Sequence, residues 1–205
     1  MANSFFQNAC KPKGLGGKLI VNFMNSGHSK MSEWGRRYLE LKSTDNVLDV
    51  GCGGGANIAV MLKECTKGKV TGLDYSEVSV EKSRKVNSAA IKAGRCDVIQ
   101  GNVLELPFEA ETFDVVTAFE TVYFWPGLDA AFAQVQKVLK KGGTFLICNE
   151  STGANPMDEK WTQMVDGMVI YSEEQLVGYL KNAGYGDIAV HKNEKNWLCV
   201  TARKI

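Results

Sequence analysis

The sequence predicts a doubly wound α/β fold, in which a mostly parallel sheet ends in one reversed strand. Three observations support this prediction. Short apolar runs alternate with segments of helical periodicity from residue 46 onward. Connections between these segments are short, which is typical of a parallel sheet covered by helices on both faces. Two strand-like runs close the chain with no helix between them.

The central segments alternate strand and helix in order. The clearest amphipathic helix has apolar residues at i, i+3, i+4 and i+7 and is expected to end at Gly142–Gly143. Its apolar positions are Leu128, Ala131, Phe132, Val135, Val138 and Leu139. The predicted strands are Asn46–Val50, Lys69–Leu73, Asp97–Gln100, Phe113–Phe119 and Thr144–Cys148. The two earlier predicted helices are Ala56–Cys65 and Ser76–Ala93, the second closed by Gly94.

The C-terminal part departs from this alternation. Ser172 and Gln175 have the spacing of a capping box that opens a helix. Two strands follow, Asp187–His191 and Trp197–Ala202. The link between them, Asn193–Asn196, is long enough only for an antiparallel hairpin.

Composition indicates one soluble globular domain. The 205 residues suffice for a single sizeable core, and 44% are hydrophobic and 23% charged. We expect a helical cap over residues 1–43, a ligand-binding core over 44–150, and a helix with a hairpin over 151–205. The net charge of +1 gives no general case for a polyanionic partner, although residues 1–42 hold seven basic and two acidic side chains.

Cysteine and histidine usage limits the chemistry. The six cysteines lie far apart without a CxxC, and there are only two histidines, so we expect neither a metal site nor a disulfide framework. Reduced thiols favour a cytoplasmic location. Residues 1–17 lack the apolar core of an export signal, and no run approaches 18 apolar residues, so no membrane association is expected.

A glycine-rich segment between the first strand and the first central helix is the most informative motif. Glycines at Gly51, Gly53 and Gly55 permit positive φ and a close approach of backbone to a ligand. The helix that follows offers N–H groups to an anionic group. Asp74, at the end of the next strand, can accept two hydrogen bonds from a ribose diol. Together these features predict a ligand built on adenosine.

Two observations favour S-adenosylmethionine over NAD as that ligand. Gly51-x-Gly53-x-x-Ala56 also fits the dinucleotide pattern, so the glycines alone do not decide. Asp49 precedes the loop, where a carboxylate suits an α-ammonium group and would repel a pyrophosphate. The one Tyr-x-x-x-Lys, at Tyr38, lies before the glycine loop and not after it, as a short-chain dehydrogenase would require.

With these motifs in order, the sequence resembles the class I S-adenosylmethionine-dependent methyltransferases, specifically the small stand-alone type-11 enzymes. The segments that carry the resemblance are Val47–Gly55, Leu73–Ser76, Gly101–Phe108, Phe113–Val116 and Leu139–Gly143. It implies a Rossmann-like seven-stranded sheet, S-adenosylmethionine as cofactor and S-adenosylhomocysteine as product. Asn102 stands where the family often has Asp, and its amide can still pair with the adenine edge.

The resemblance also implies the residues of the cofactor site. Tyr75 is expected against the adenine ring and Asn102 at its edge. The full expected set is Asp49, Gly51, Cys52, Gly53, Gly55, Asn57, Asp74, Tyr75, Asn102, Val103 and Glu120.

The acceptor should bind beside the loop after the fourth strand. Three consecutive aromatic residues, Tyr123, Phe124 and Trp125, suggest a flat apolar wall, although packing in the core explains one or two of them equally well. His28 is the first candidate for a general base because its ordinary pKa is about 6.5, and Tyr123 is the second. His28 follows an apolar helical face formed by Leu19, Ile20, Phe23 and Met24, which we interpret as part of the lid.

These features favour methyl transfer to a small molecule at O, S, N or C. Three alternatives remain open at this stage. An RNA or protein methyltransferase would use the basic N-terminal segment, but no appended recognition domain accompanies it, which argues against nucleic acid. A non-catalytic protein could bind the adenosine ligand for stability alone. A nicotinamide oxidoreductase lacks the Tyr/Lys pair in the required place.

Overall fold

A computed structural model describes residues 28–205 of the chain, and every structural statement below refers to that part. Its strands are β1 (Asn46–Val50), β2 (Lys69–Asp74), β3 (Cys96–Gln100), β4 (Phe113–Phe119), β5 (Leu139–Asn149), β6 (Tyr185–Lys192) and β7 (Leu198–Lys204). Its α-helices are α1 (Ser29–Arg36), α2 (Ala56–Glu64), α3 (Glu77–Val86), α4 (Ser88–Lys92), α5 (Leu128–Val138), α6 (Asp158–Met164) and α7 (Glu173–Asn182). One 3₁₀ turn, Val122–Phe124, follows β4.

The strands form one seven-stranded sheet in the order β3-β2-β1-β4-β5-β7-β6. Strands β1 to β5 run parallel, whereas β7 lies antiparallel to both of its neighbours. The predicted fold class, with its reversed last strand, is therefore confirmed. Strand order changes direction between β1 and β4, and in open α/β sheets such a switch point leaves a crevice at the carboxyl ends of the strands.

Two apolar cores flank the sheet. On one face, α5 buries the five apolar positions that its sequence spacing predicts from Leu128 to Val138. Phe132 of this helix packs edge-to-face on Phe145 of β5 with ring centroids 5.4 Å apart. The apolar periodicity of α5 thus correctly identified the centre of this core.

On the other face, α1 packs directly on β5. Gly35 allows this close approach, since a Cβ there would lie 2.5 Å from Cys148 Sγ. Tyr38, just beyond the helix, stacks on His191 of β6 with ring centroids 3.6 Å apart. Because Gly35 brings α1 directly against β5, the helix forms a wall over the sheet next to the switch point. The predicted lid residues Leu19, Ile20, Phe23 and Met24 lie outside the described part of the chain.

Several element ends differ from the predicted ones, and two of the differences have a clear tertiary cause. The helix expected over Ser76–Ala93 is divided at Asn87, whose amide donates to the carbonyl oxygens of Gly55 and Ser83 and so takes part in tertiary contacts. The helix expected to end at Gly142–Gly143 ends at Val138 instead, because Leu139 turns extended and pairs with Phe113 of β4. Gly142 then lies within β5 at a φ of 73°.

None of the helices between residues 28 and 205 combines the length and the apolar character that crossing a membrane requires. The five cysteines in this part of the chain are all free thiols.

Candidate functional site

The glycine loop joins β1 to α2 and is tied to the end of β2. The backbone N–H groups of Gly51 and Cys52 both donate to the carbonyl oxygen of Leu73, at 2.7 and 3.1 Å. Gly51 has a φ of 76°, and a Cβ at this position would collide with the side chain of Thr121. Only glycine fits there, so the motif has a steric cause in this structure.

Asp74 closes the other side of the loop. Its Oδ2 accepts a hydrogen bond from the N–H of Gly53 and its Oδ1 one from the N–H of Ser76, each at 2.9 Å. Each carboxylate oxygen retains a second lone pair for a ligand hydroxyl. Burial raises the pKa of Asp74, while these backbone donors oppose the rise. The carboxylate therefore both shapes the loop and faces the site.

A cavity of about 380 Å³ opens at the carboxyl ends of β1, β2 and β4. The N-terminus of α2 and the inner side of α1 complete its walls. Most of the residues predicted for the site line this one cavity. They are His28, Gly51, Cys52, Gly53, Asn57, Asp74, Tyr75, Asn102, Val103 and Glu120.

Three predicted residues lie outside the cavity lining. Gly55 is the N-cap residue of α2 and has a φ of 80°. Asp49 is buried beneath the loop and accepts a hydrogen bond from Thr117 Oγ1 at 2.7 Å. Tyr123 is buried behind Glu120. Any influence of the Asp49 carboxylate on a ligand is therefore electrostatic and not through direct contact.

Burial raises the pKa of Asp49 to about 6, although Thr117 and Arg36 act against this effect. In an unfolded chain an aspartate titrates near 3.9. Between these two values the folded protein binds more protons than the unfolded chain, so this group makes stability fall as the pH rises.

The pH dependence of Asp49 can be isolated with Asp49→Asn. Between pH 5 and pH 8 we expect the free energy of unfolding of the native protein, relative to this variant, to fall by about 1.4 kcal/mol. Denaturant unfolding of both proteins at the two pH values measures this difference. A difference that stays constant, or that grows with pH, would show that Asp49 is ionised throughout.

Arg36 is a site residue that sequence reasoning missed. Its Nη1 donates to Asn57 Oδ1 at 2.6 Å, which connects α1 to the start of α2 across the cavity. Arg36 also lines the cavity and acts electrostatically on the buried Asp49. Arg36 lies in the helix before β1, outside the glycine loop, and no local motif reveals its role.

The predicted aromatic wall is only partly present. Phe124 and Trp125 line the cavity, and Trp125 is also part of the core, with its ring parallel to that of Phe145. Tyr123 is 2% exposed and directs its hydroxyl at Glu120 Oε1, 3.0 Å away. Burial, followed by the charge of Glu120, raises the pKa of Tyr123 well above its usual value. The tyrosine therefore orients a carboxylate, and its hydroxyl is poorly placed to act as the base.

His28 stands at the start of α1 and faces Glu120. Its Nδ1 lies 3.3 Å from Glu120 Oε2. Burial opposes protonation of His28, but Glu120 and, to a smaller extent, Glu150 outweigh it, so the pKa of His28 is raised. Glu150, which the sequence analysis did not single out, completes a group of three side chains drawn from separate segments.

Comparison with known proteins agrees with this geometry. A family model described as a methyltransferase domain matches residues 41–197. The chain belongs to this methyltransferase family. The matched range contains the whole of the glycine loop, Asp74 and the loop after β4, so the family assignment covers most of the cavity described above.

This chain is also similar in sequence to curated methyltransferases. It is 30% identical to cycloartenol-C-24-methyltransferase 1 of Oryza sativa subsp. japonica over 158 residues, which are 72% of this chain and 45% of the relative. The chain thus spans about half the length of that curated relative.

Solved structures share the fold. A SAM-dependent methyltransferase from Aquifex aeolicus has a TM-score of 0.77 at 19% identity, covering 92% of this chain and 98% of the other. Geranyl diphosphate C-methyltransferase from Streptomyces coelicolor A3(2), solved with Mg²⁺, geranyl-S-thiolodiphosphate and S-adenosyl-L-homocysteine, has a TM-score of 0.75 at 13% identity. It covers 86% of this chain and 76% of the other. The Rossmann-like methyltransferase fold is therefore confirmed.

Proposed function

We propose that this protein transfers a methyl group from S-adenosylmethionine to a small-molecule acceptor and releases S-adenosylhomocysteine. The observation that carries the proposal is the link between the glycine loop and Asp74, which both face the same cavity. A carboxylate at the end of β2 can accept hydrogen bonds from both hydroxyls of a ribose. The glycines let the backbone of the loop approach an adenosine ligand closely. The family assignment agrees with this use of the cavity.

The residues present fit the nucleoside end of that cofactor. Asp74 accepts from the ribose hydroxyls, and Tyr75, which is 36% exposed, lies against adenine. Val103 supplies an apolar contact. The side-chain oxygen of Asn102, Oδ1, already accepts a hydrogen bond from the N–H of Leu104 at 3.0 Å. The side-chain NH₂ group of Asn102 therefore donates to a ring nitrogen of adenine.

The wall of the cavity that α1 forms fits a methionine tail. Arg36 supplies a guanidinium for the carboxylate, and the backbone of Gly51, Cys52 and Gly53 approaches the ligand closely. The buried charge of Asp49 favours the α-ammonium group through the loop. Asn57 holds Arg36 in place, so α1 and the glycine loop bind the tail between them.

When bound, S-adenosylmethionine supplies an electrophilic methyl group on a sulfonium. The protein's work is then positioning, since the acceptor atom must lie in line with the carbon–sulfur bond. His28 receives the proton of the acceptor, and Glu120 orients the imidazole and stabilises its charged form. Tyr123 in turn orients Glu120.

A small acceptor is favoured over RNA or protein by the size of the cavity. About 380 Å³ must hold the cofactor and the acceptor, and it lies within the usual range for small-molecule sites. Free thiols at all five described cysteines support a reducing compartment, and we propose the cytoplasm.

Isothermal titration with S-adenosylmethionine, S-adenosylhomocysteine and NAD tests the cofactor directly. We expect micromolar binding of the first two ligands and no heat from NAD. Binding of NAD alone would overturn the proposal and assign the glycine loop to a dinucleotide.

A further inference from the structure

Three titratable side chains meet beside the acceptor loop. His28 precedes α1, Glu120 follows β4 and Glu150 follows β5. One nitrogen or oxygen of each lies within 4.8 Å of the corresponding atoms of the other two. Because they come from three distant segments, their meeting is a property of the fold, and no local sequence motif records it.

Glu120 is held in one orientation. Its φ of 57° is unusual for a residue other than glycine, and such backbone conformations concentrate at functional sites. Its Oε1 accepts hydrogen bonds from the Tyr123 hydroxyl and from the N–H of Glu150. Tyr123 is held in turn by the N–H of Ser151 at 2.9 Å. Glu120 Oε2 therefore remains directed at His28.

The hydrogen bonding of this cluster is incomplete within the described protein. His28 Nδ1 is buried and close to Glu120, yet no hydrogen bond of ordinary geometry reaches it. Glu150 brings a second carboxylate, and its pKa is raised by burial and then by Glu120. Lys195, in the β6–β7 turn, is the other cation that acts on Glu150. Two carboxylates thus lie close to one imidazole, and two of the three side chains, His28 and Glu120, line the cavity.

We propose that this cluster binds the acceptor as an ammonium ion, so that the substrate is a primary or secondary amine. The inference rests on the proposed methyl transfer and names its substrate class. An ammonium group offers several donors to match the two carboxylates and the imidazole. The nearby ring of Phe124 offers a further favourable surface for a cation. A phosphate or carboxylate at the same place would meet two like charges, which disfavours anionic acceptors.

Methyl transfer to the amine requires one proton transfer, one new bond and one broken bond. One N–H proton of the bound ammonium moves to the imidazole of His28, which leaves a lone pair on nitrogen. That lone pair forms the new bond from nitrogen to the methyl carbon. The carbon–sulfur bond breaks and its electron pair stays on sulfur, which becomes a neutral thioether. The methylated nitrogen takes over the positive charge of the sulfonium, and the transferred proton gives His28 the other positive charge. Glu120 and Glu150 stabilise both charges.

Binding can be tested without turnover. Protein saturated with S-adenosylhomocysteine is titrated with 2-phenylethylammonium and, separately, with 2-phenylethanol, which has the same shape but no charge. We expect the ammonium to bind at least about tenfold more tightly, because hydrogen bonds to charged groups are the stronger ones. Glu150→Gln, which keeps the backbone N–H that orients Glu120, should remove most of that preference. Glu109→Gln, at an exposed loop position, is the matched control and should retain it.

The outcomes separate this inference from the function on which it rests. Failure of S-adenosylhomocysteine to bind would refute the proposed function itself. Normal binding of S-adenosylhomocysteine with equal affinity for the amine and the alcohol would refute only the amine proposal. An equal preference for the ammonium in Glu150→Gln and Glu109→Gln would likewise refute only the amine proposal. A parallel titration with Mn²⁺, followed by electron paramagnetic resonance, checks whether the three side chains bind a metal. Binding of Mn²⁺ that depends on Glu150, together with indifference to the amine, would also overturn the proposal.

Discussion

Replacing Asp74 with alanine should lower the affinity for S-adenosylmethionine by about 100-fold or more. Each hydrogen bond to a charged group is worth about 1.5–3 kcal/mol, and the ribose offers two hydroxyls to this carboxylate. The substitution also removes the acceptors for Gly53 and Ser76, so the loop that surrounds the ligand loses its support. Isothermal titration of the native protein and the variant measures the loss. An affinity within threefold of the native value would show that the ribose lies elsewhere.

Loop support and ribose binding can be separated with a second ligand. We expect the 2′-deoxyribose form of S-adenosylhomocysteine to bind the native protein less tightly than the parent compound. In Asp74→Ala the two ligands should bind nearly equally, because the carboxylate that distinguishes them is gone. Asp97→Ala removes a surface carboxylate from β3 that pairs with Lys69, and serves as the control. Its binding should match that of the native protein.

The parts of the fold that sequence predicted well are those with an unambiguous burial pattern. β1 and β4 have the predicted bounds because each is a mostly apolar run in which all residues but one are buried. The capping box at Ser172 and Gln175 forms as expected, since it depends on residues three apart. The terminal hairpin follows from the shortness of its link. In each case the element is determined by interactions between residues close in sequence, or by a periodic pattern of apolar residues.

The errors arose where tertiary contacts decide. The amide of Asn87 reaches the carbonyl oxygen of Gly55 across 32 positions of sequence, and the helix divides at this residue. Leu139 leaves helical conformation in order to pair with β4, although the glycines three residues later are a stronger local signal for a helix end. Neither contact has a signature in the residues around it.

The candidate site shows the same division. The glycine loop and Asp74 are adjacent to recognisable strand ends, so their chemistry could be predicted from order and spacing. Arg36 and Glu150 could not, because only the packing of α1 and the end of β5 bring them to the cavity and to Glu120. The sequence correctly drew attention to Tyr123, but the structure assigns its hydroxyl to the orientation of Glu120. A side chain's direction within a loop depends on what is buried beneath it.

His28→Ala should reduce the rate of methyl transfer by about 100-fold or more while leaving the affinity for S-adenosylmethionine nearly unchanged. Proton transfer by a positioned group contributes about 10²–10⁴-fold, and His28 lines the cavity beside Glu120. Turnover is measured by transfer of a radiolabelled methyl group to 2-phenylethylamine, the amine used in the binding titration. The second histidine supplies a matched control, since His191→Ala removes an imidazole of β6 that stacks on Tyr38 and does not line the cavity.

The pH profile distinguishes a base from a merely structural histidine. Glu120 and Glu150 outweigh the effect of burial and raise the pKa of His28, so its neutral, proton-accepting form predominates only at higher pH. The native rate should therefore fall as the pH drops through that raised pKa, whereas the small residual rate of His28→Ala should lack this step. His191→Ala should retain both the native rate and the native profile. If His28→Ala is slow but keeps the step, another group accepts the proton, and His28 then acts by shaping the cavity beside Glu120.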